Sequence, residues 1–433
     1  MPFETGAGAP RRIAVIGGGI SGMGAANMLA DTQQVTLFEA EPRLGGHART
    51  VMAGRHGDQP VDTGFIVFNY VNYPHLVSLF EKMDVPVEKS SMSFGVSIDG
   101  GRLEYALTSL NALFAQRRNV LRPSFQRMVR DIFRFNARAA ATVADKPNLT
   151  IGGLMQELKL GAWFRDYYLL PFSGAIWSTP KEKIMDFPAH AMIRFFENHA
   201  LLSHTGQHQW YTVKGGSVQY VSRLEAGMRR KGVDVRLGAA VQAVRRSGMG
   251  VEIRCWGGEW ESFDEVVLAT HSDDSLRLLA DPSAHEKANL GAIRYQPNEV
   301  VLHSDASVMP KNRKVWSSWV YTEDANRRSD QIDLTYWMNS LQPIPQADPH
   351  FVTLNTKRDI REDLIYDQTV MRHPVFDLEA LAAQGRIQER NGTNRTWFCG
   401  AWVKNGFHED GLSSAVDVVE AINRVSTISV AAE

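Results

Sequence analysis

A glycine turn near the amino end does most to limit what this chain can fold into. Ile13-Ala14-Val15-Ile16 is a short apolar run of the buried-strand type, and Gly17-Gly18-Gly19-Ile20-Ser21-Gly22 comes directly after it. Gly17, Gly19 and Gly22 have the G-x-G-x-x-G spacing. The first permits a tight turn, the second lets a diphosphate approach the backbone, and the third lets helix pack on strand. Met23 to Ala30 then reads as a helix and Val35 to Phe38 as a second strand ending in Glu39. Free amides at the helix start, around Ile20 and Ser21, favour an anion. Glu39 is placed to accept hydrogen bonds from ribose hydroxyls, with Ala40 beside it.

The 433 residues allow two to three domains. A net charge of −1 gives no field that would draw nucleic acid, and none is expected as a partner. Cys255 and Cys399 lack metal-type spacing, and with no signal-peptide pattern at the amino end they point to a cytoplasmic protein. Val233 to Leu237, Val251 to Arg254 and Glu265 to Ala269 read as strands returning to the nucleotide-binding unit. Thr396 to Cys399 adds another, with a helix after it from about Ser413 to Val425. The expected class is α/β, with a discontinuous Rossmann-like nucleotide domain from 1–75, 205–290 and 395–433 and an α+β substrate domain from 76–204 and 291–394. The block 76–204 is largely helical in pattern. Asn298 to His303, Lys314 to Tyr321 and Gln331 to Met338 are strand-like.

The residues after Glu39 separate the dinucleotides. Arg43-Leu44-Gly45-Gly46-His47 resembles the second glycine motif of the flavin-containing amine oxidase superfamily, which includes monoamine and polyamine oxidases, carotenoid desaturases and Rab escort-type proteins. The resemblance continues at Asp62-Thr63-Gly64-Phe65-Ile66, Val213 to Ser217, Gly238 to Val241, Gly400 and Gly411-Leu412. It implies FAD, with Arg43 near the diphosphate and Gly45-Gly46 along the ribityl chain. It also implies Gly64, Phe65 and Ile66 beside the flavin ring, Val241 at the adenine, and Gly400, Gly411 and Leu412 on the ribityl-phosphate side. His47 is expected to touch the cofactor and is a candidate for proton transfer. There is no second G-x-G-x-x-G unit for a nicotinamide cofactor. Cys399 lies in the closing strand rather than where covalent members carry their cysteine, so noncovalent FAD is expected.

Departures from the amine-oxidising branch bear on substrate. Its flavin-facing lysine has no counterpart in Tyr295 to His303, and Trp402 stands where an acid is usual. Asp62 to Asn69, Phe195-Phe196-Glu197-Asn198-His199, Tyr336-Trp337-Met338-Asn339 and Met371 to Asp377 resemble a bacterial group of NAD/FAD-binding proteins. Genes of that group neighbour cyclopropane-fatty-acid-synthase-type methyltransferases, and some members act in furan fatty acid formation. The resemblance implies dehydrogenation of an unsaturated or methylated fatty acyl chain, phospholipid-bound, with a methyltransferase as partner. A redox-neutral double-bond isomerase, an amine oxidase and a lipid-binding escort protein are the alternatives.

Between Leu113 and Arg138, seven arginines alternate with apolar residues against Asp131 alone. Such a segment can lie on an anionic bilayer, at the inner face of the cytoplasmic membrane, or pack its apolar side on the substrate domain. His199 and Tyr336 are further candidates for the substrate pocket. His190, His204, His208, His303 and His373 show no ligand spacing, and no metal is expected.

Overall fold

The computed structural model describes residues 10–177, 184–199, 201–202, 208–324 and 331–431. Arg12–Ile16 lies at the centre of a five-stranded parallel sheet, between Gln34–Phe38 and Glu265–Leu268, with Asp234–Arg236 and Thr396–Phe398 outside them. The apolar run at its start is explained by burial on both faces. Ile13 and Val15 enter one core with Leu37 and Val267, whereas Ala14 and Ile16 enter another with Phe38 and Leu268. Helices Ile20–Leu29, Val218–Arg230 and His408–Ala431 cover the first face. An antiparallel sheet of Val241–Arg246, Val251–Cys255 and Trp260–Phe263 covers the second. Val251 to Arg254 forms the middle strand of that sheet.

The first helix begins at Ile20, not Met23, so the last glycine of the turn is itself helical. The closing helix begins at His408, five residues before the expected start, which brings Gly411 and Leu412 into its first turn.

A second, seven-stranded sheet runs in the order Ile365–Val375, Arg294–His303, Phe351–Leu354, Asp333–Trp337, Trp319–Glu323, Phe94–Ile98 and Leu103–Ala106. All its pairs are antiparallel except that of Phe94–Ile98 with Trp319–Glu323. The block 76–204 is thus less helical than its pattern implies, since it gives two strands to this sheet. Its helices Pro123–Val143, Ile151–Glu157, Leu170–Trp177 and Ala189–Asn198 lie over one face. In Pro123–Val143 the buried positions 125, 128, 132, 135 and 139 form one stripe at helical spacing. That stripe enters the core, leaving Phe133 half exposed. No helix among the described residues is long and apolar enough to cross a membrane.

Candidate active site

Parallel pairing puts the carboxyl ends of all five strands on one edge, where ligands bind in open α/β sheets. There the Gly17 amide donates to the Phe38 carbonyl (2.8 Å), and a Cβ on Gly17 (φ +107°) would lie 2.8 Å from the Ala269 oxygen. A Cβ on Gly22 would lie 1.8 Å from the Gly17 oxygen. Both positions are filled by the protein's own backbone. Gly19 differs: a Cβ there would meet no protein atom within 4 Å, so the amino end of helix Ile20–Leu29 opens onto free space beside it. Ile20 and Ser21 are buried behind that opening.

Glu39 ends the second strand and is held in place by this turn. Its carboxylate accepts from the Gly18 amide (2.5 Å) and the Glu41 amide (2.8 Å), and burial pushes its pKa up. Ala40 is exposed beside it. The Ala239 amide donates to the Glu39 carbonyl (2.8 Å), which brings the loop ahead of Val241 to the same edge. Gly45 donates to the Gly18 carbonyl (2.8 Å), and a Cβ on Gly46 would lie 3.2 Å from Gly19 Cα. The two glycine motifs therefore line one opening. Arg43 donates to the Gly46 carbonyl (3.1 Å) and pairs with Glu41 (3.0 Å), so it clasps the second motif.

From Gly45 onward the chain tracks the free edge of strand Ile365–Val375. Arg49 forms a two-pronged pair with Asp367 (2.7 and 3.0 Å). The His47 ring is bonded to the backbone of Arg372. The Phe65 amide donates to the His47 carbonyl (2.9 Å), and Gly64 packs so closely that a Cβ would lie 2.0 Å from that oxygen. Ile66 is buried, with its carbonyl accepting from the Thr212 hydroxyl (2.8 Å). Behind this strip lies buried Asp62. It accepts from the Thr50 hydroxyl (2.6 Å), the Ser217 amide (2.9 Å) and hydroxyl (2.7 Å), and Gln342 Nε2 (2.9 Å). Burial outweighs these donors and raises its pKa to about 6.

The closing segment completes the edge. The Gly400 amide donates to Ser414 Oγ (2.9 Å), and a Cβ on Gly411 would lie 2.8 Å from Ser21 Oγ. Leu412 is buried between the two helices. Trp402 turns away into the core, its indole donating to the Thr270 carbonyl (3.0 Å). Cys399 is a buried free thiol at the strand end, its pKa pushed up to about 12 by burial.

Four histidines gather here. The His47 ring lies 5.7 Å from His271 and 5.6 Å from His373. His271 stacks on Tyr295 (4.3 Å), and His373 Nδ1 bonds Asn298 Nδ2 (2.8 Å). His408 stacks on Phe65 (3.9 Å) and meets the Tyr220 hydroxyl through Nε2 (2.7 Å). Burial lowers the pKa of His271, His373 and His408 to about 3 each and lowers that of His47 as well. All four rings are therefore neutral at physiological pH. His47 Nε2 is buried without a protein partner. That atom therefore has hydrogen-bonding capacity which no protein group meets.

Of the candidate catalytic residues His47, His199 and Tyr336, only His47 sits in this cluster. His199 stacks on Phe195 (4.0 Å) and lies 5.8 Å from Phe407, the neighbour of His408. Tyr336 packs against Trp319 (5.4 Å) on the seven-stranded sheet. No sequence motif marks His271, and nothing in the phrases around His373 and His408 assigns either ring to the site. His303 is an ordinary buried histidine bonded to Thr353 (2.8 Å), and His204 lies outside the described residues. His271, Asp273 and Asp274 bring possible ligand atoms within 4.8 Å of one another, but Arg372 and Arg277 engage the two carboxylates.

A family model described as flavin containing amine oxidoreductase matches residues 20–350. No curated protein matches. Among solved structures, the CLA-producing fatty acid isomerase from P. acnes is similar at a TM-score of 0.68 and 14% identity, covering 95% of this chain and 98% of that one. Reduced UDP-galactopyranose mutase gives 0.69 and 14%, covering 96% of each chain. Putrescine oxidase bound to putrescine gives 0.67 and 14%, covering 96% and 99%. These likenesses show a common fold. The open face at Gly19 and the unpartnered His47 Nε2 fit a long dinucleotide lying along the edge. The chain belongs to the flavin-containing amine oxidoreductase family and is an FAD-dependent oxidoreductase.

Proposed function

We propose that the chain removes hydride from an unsaturated or methylated fatty acyl chain, carried on a phospholipid, to form a new double bond as in furan fatty acid formation. One observation carries this reading. Tyr336, Trp319, Phe172 and Phe407 keep accessible surface although they pack against a fully buried core. Burial also pushes the Tyr336 hydroxyl pKa up. Partly accessible aromatic side chains beside a buried core offer the apolar surroundings that an acyl chain requires, which supports this reading.

Under this proposal Gly17, Gly19, Ile20, Ser21 and Gly22 hold the FAD diphosphate and Glu39 with Ala40 the ribose. Arg43, Gly45 and Gly46 line the ribityl chain, His47, Gly64, Phe65 and Ile66 the ring, Val241 the adenine, and Gly400, Gly411 and Leu412 the closing side. The five-stranded sheet with its loops would form the FAD domain, from 1–75, 205–290 and 395–433. Segments 76–204 and 291–394 would hold the substrate. When bound, FAD supplies a two-electron acceptor for hydride. The protein orients the acyl C–H bond and excludes water through the apolar wall. Neutral His47 presents Nε2 to take the proton from the neighbouring carbon, or to hold the water that does. A cyclopropane-fatty-acid-synthase-type methyltransferase is the proposed supplier of the methylated chain.

Anaerobic mixing of the purified holoenzyme with phospholipids of defined acyl composition tests this. Bleaching of the flavin absorbance, with a product two hydrogens lighter, is expected. Bleaching by polyamines but not by lipids overturns it in favour of an amine oxidase. The similarity to a fatty acid isomerase favours a second reading, redox-neutral movement of a double bond. In that case product of unchanged mass forms and no electron acceptor is consumed.

A further inference from the structure

Helix Pro123–Val143 commits its apolar stripe to the core, so the segment ahead of it carries the unexplained surface. Leu110 is 73% exposed and Leu121 87%, with Val120 exposed between them in sequence. Arg102, Arg118, Leu121, Arg122 and Pro123 line a surface pocket of about 400 Å³ here. Arg118 donates to the Arg102 carbonyl (2.7 Å), which brings its side chain to the Arg102 backbone at the pocket. Arg122 sits over the Trp163 ring (5.1 Å), and its Nη1 is buried with no partner. A buried guanidinium N–H without an acceptor is costly unless an anion supplies one.

The charge around the pocket is one-sided. Lys311 and Lys314 are exposed in the segment that packs on Leu110–Leu113. Nearby acids are already engaged: Asp99 pairs with Arg102 (2.7 Å), and buried Glu104 accepts the Lys311 and Asn312 amides (2.9 and 3.1 Å). Asp131 is buried beneath Arg127 and Arg134. A chain with a net charge of −1 thus gathers an excess of cations around protruding aliphatic side chains. That mixture suits the boundary between anionic headgroups and acyl chains, and suits neither bulk water nor a neutral protein surface.

We propose that this face docks on an anionic membrane, with a lipid phosphate held by Arg102, Arg118 and Arg122 and with Leu110, Val120 and Leu121 entering the acyl layer. The inference deepens the acyl-substrate reading, since a lipid-borne chain has to be met at the bilayer, and rests on it for its purpose. Flotation of the holoenzyme with phosphatidylglycerol-containing vesicles, against pure phosphatidylcholine vesicles, tests it without reference to turnover. Binding to the first alone is expected, weakened by salt. The triple variant R102Q/R118Q/R122Q should lose on the order of 100-fold in affinity, and L121D should lose binding while keeping its flavin. The control R130Q/R138Q, on helix Pro123–Val143 and outside the pocket, should bind as the parent does. The proposal is overturned by absent binding to anionic vesicles, by full binding of the triple variant, or by equal loss in the control. It is also overturned if inorganic phosphate perturbs Trp163 fluorescence while vesicles do not bind. Failure of flotation with flavin bleaching by dispersed lipid intact would sink the docking face and leave the reaction standing.

Discussion

Gly19 and Gly22 look alike in the sequence motif, and their surroundings separate what each is for. A methyl on Gly22 collides with the Gly17 carbonyl, whereas one on Gly19 meets nothing, and the Gly19 backbone (φ −75°, ψ −177°) suits alanine. Gly22→Ala should therefore cost about 3 kcal/mol in the apoprotein. Gly19→Ala should stay within about 1 kcal/mol of the parent in apo stability. Yet it should lower FAD affinity by about tenfold or more, because the open side of Gly19 faces the proposed diphosphate site. Denaturation of apoprotein and fluorescence titration with FAD measure the two effects separately. A Gly19→Ala variant that unfolds, or one that binds FAD normally, contradicts the assignment. The histidines allow a second prediction at this scale. His271, His373 and His408 have folded pKa values near 3 against 6.5 when exposed, so between those limits the unfolded chain binds more protons. Stability is then present above pH 6.5 and lost as pH falls toward 3, by up to about 1.4 kcal/mol per pH unit for each ring. Asp62 acts in the opposite sense, because its folded pKa of about 6 lies above its ordinary 3.8. Its contribution is full below 3.8 and is lost as pH rises through 6. Three rings outweigh one carboxyl, so melting temperature should fall on acidification from pH 6.5 to 4. His408→Phe, which keeps the stack on Phe65, should flatten that fall.

Asp62 ties together elements that sequence separates widely. Its carboxylate joins Thr50, the start of helix Val218–Arg230 through Ser217, and Gln342 beyond strand Asp333–Trp337. Asp62→Ala strands four donors in a buried place, and a loss of about 3 kcal/mol or more is expected by denaturant melting. Asp62→Asn, which keeps the acceptor oxygen, should lose less. If the two variants prove equal, the junction is held by packing instead. Such junctions mark the point where a sequence stops being legible. The βαβ unit is legible because its strands are buried on both faces and its turn needs glycine, which are local demands. Val87–Ser90 and the Phe94–Ile98 strand are hidden within a helical block, since the second pairs with residues more than two hundred positions away. Its five residues, all buried, carry no alternation to read. His373 likewise shows nothing in its own phrase. Only the pairing of Gln296 with His373 and the run of Gly45 to Arg49 along the sheet edge bring it to His47.

At the scale of the molecule, the proposed cofactor edge draws on residues 17–22, 39–47, 64–66, 238–241 and 400–412, and polar ties join it to the seven-stranded sheet. Arg49 to Asp367, the His47 ring to the Arg372 backbone, and Asp62 to Gln342 join loops beside the five-stranded sheet to the seven-stranded sheet and the turn after its strand Asp333–Trp337. Each needs its neighbours in register, so loosening one side removes partners from the other. The expectation is a single cooperative melting transition rather than one for each sheet. FAD stabilises only the folded arrangement of these segments, so stripping the flavin should lower that one midpoint. Re-adding FAD in large excess over its dissociation constant should restore up to about 4 kcal/mol. Calorimetry of the holoprotein, the stripped protein and the reconstituted protein gives the test. Two transitions, of which FAD moves only one, would mean that the ties through His47, Arg49 and Asp62 are too weak to couple the sheets. The proposed substrate wall at Tyr336 and Trp319 would then keep its shape without the flavin, and acyl lipid should bind the stripped protein as tightly as the holoprotein. With one shared transition, acyl binding should instead weaken on removal of the cofactor.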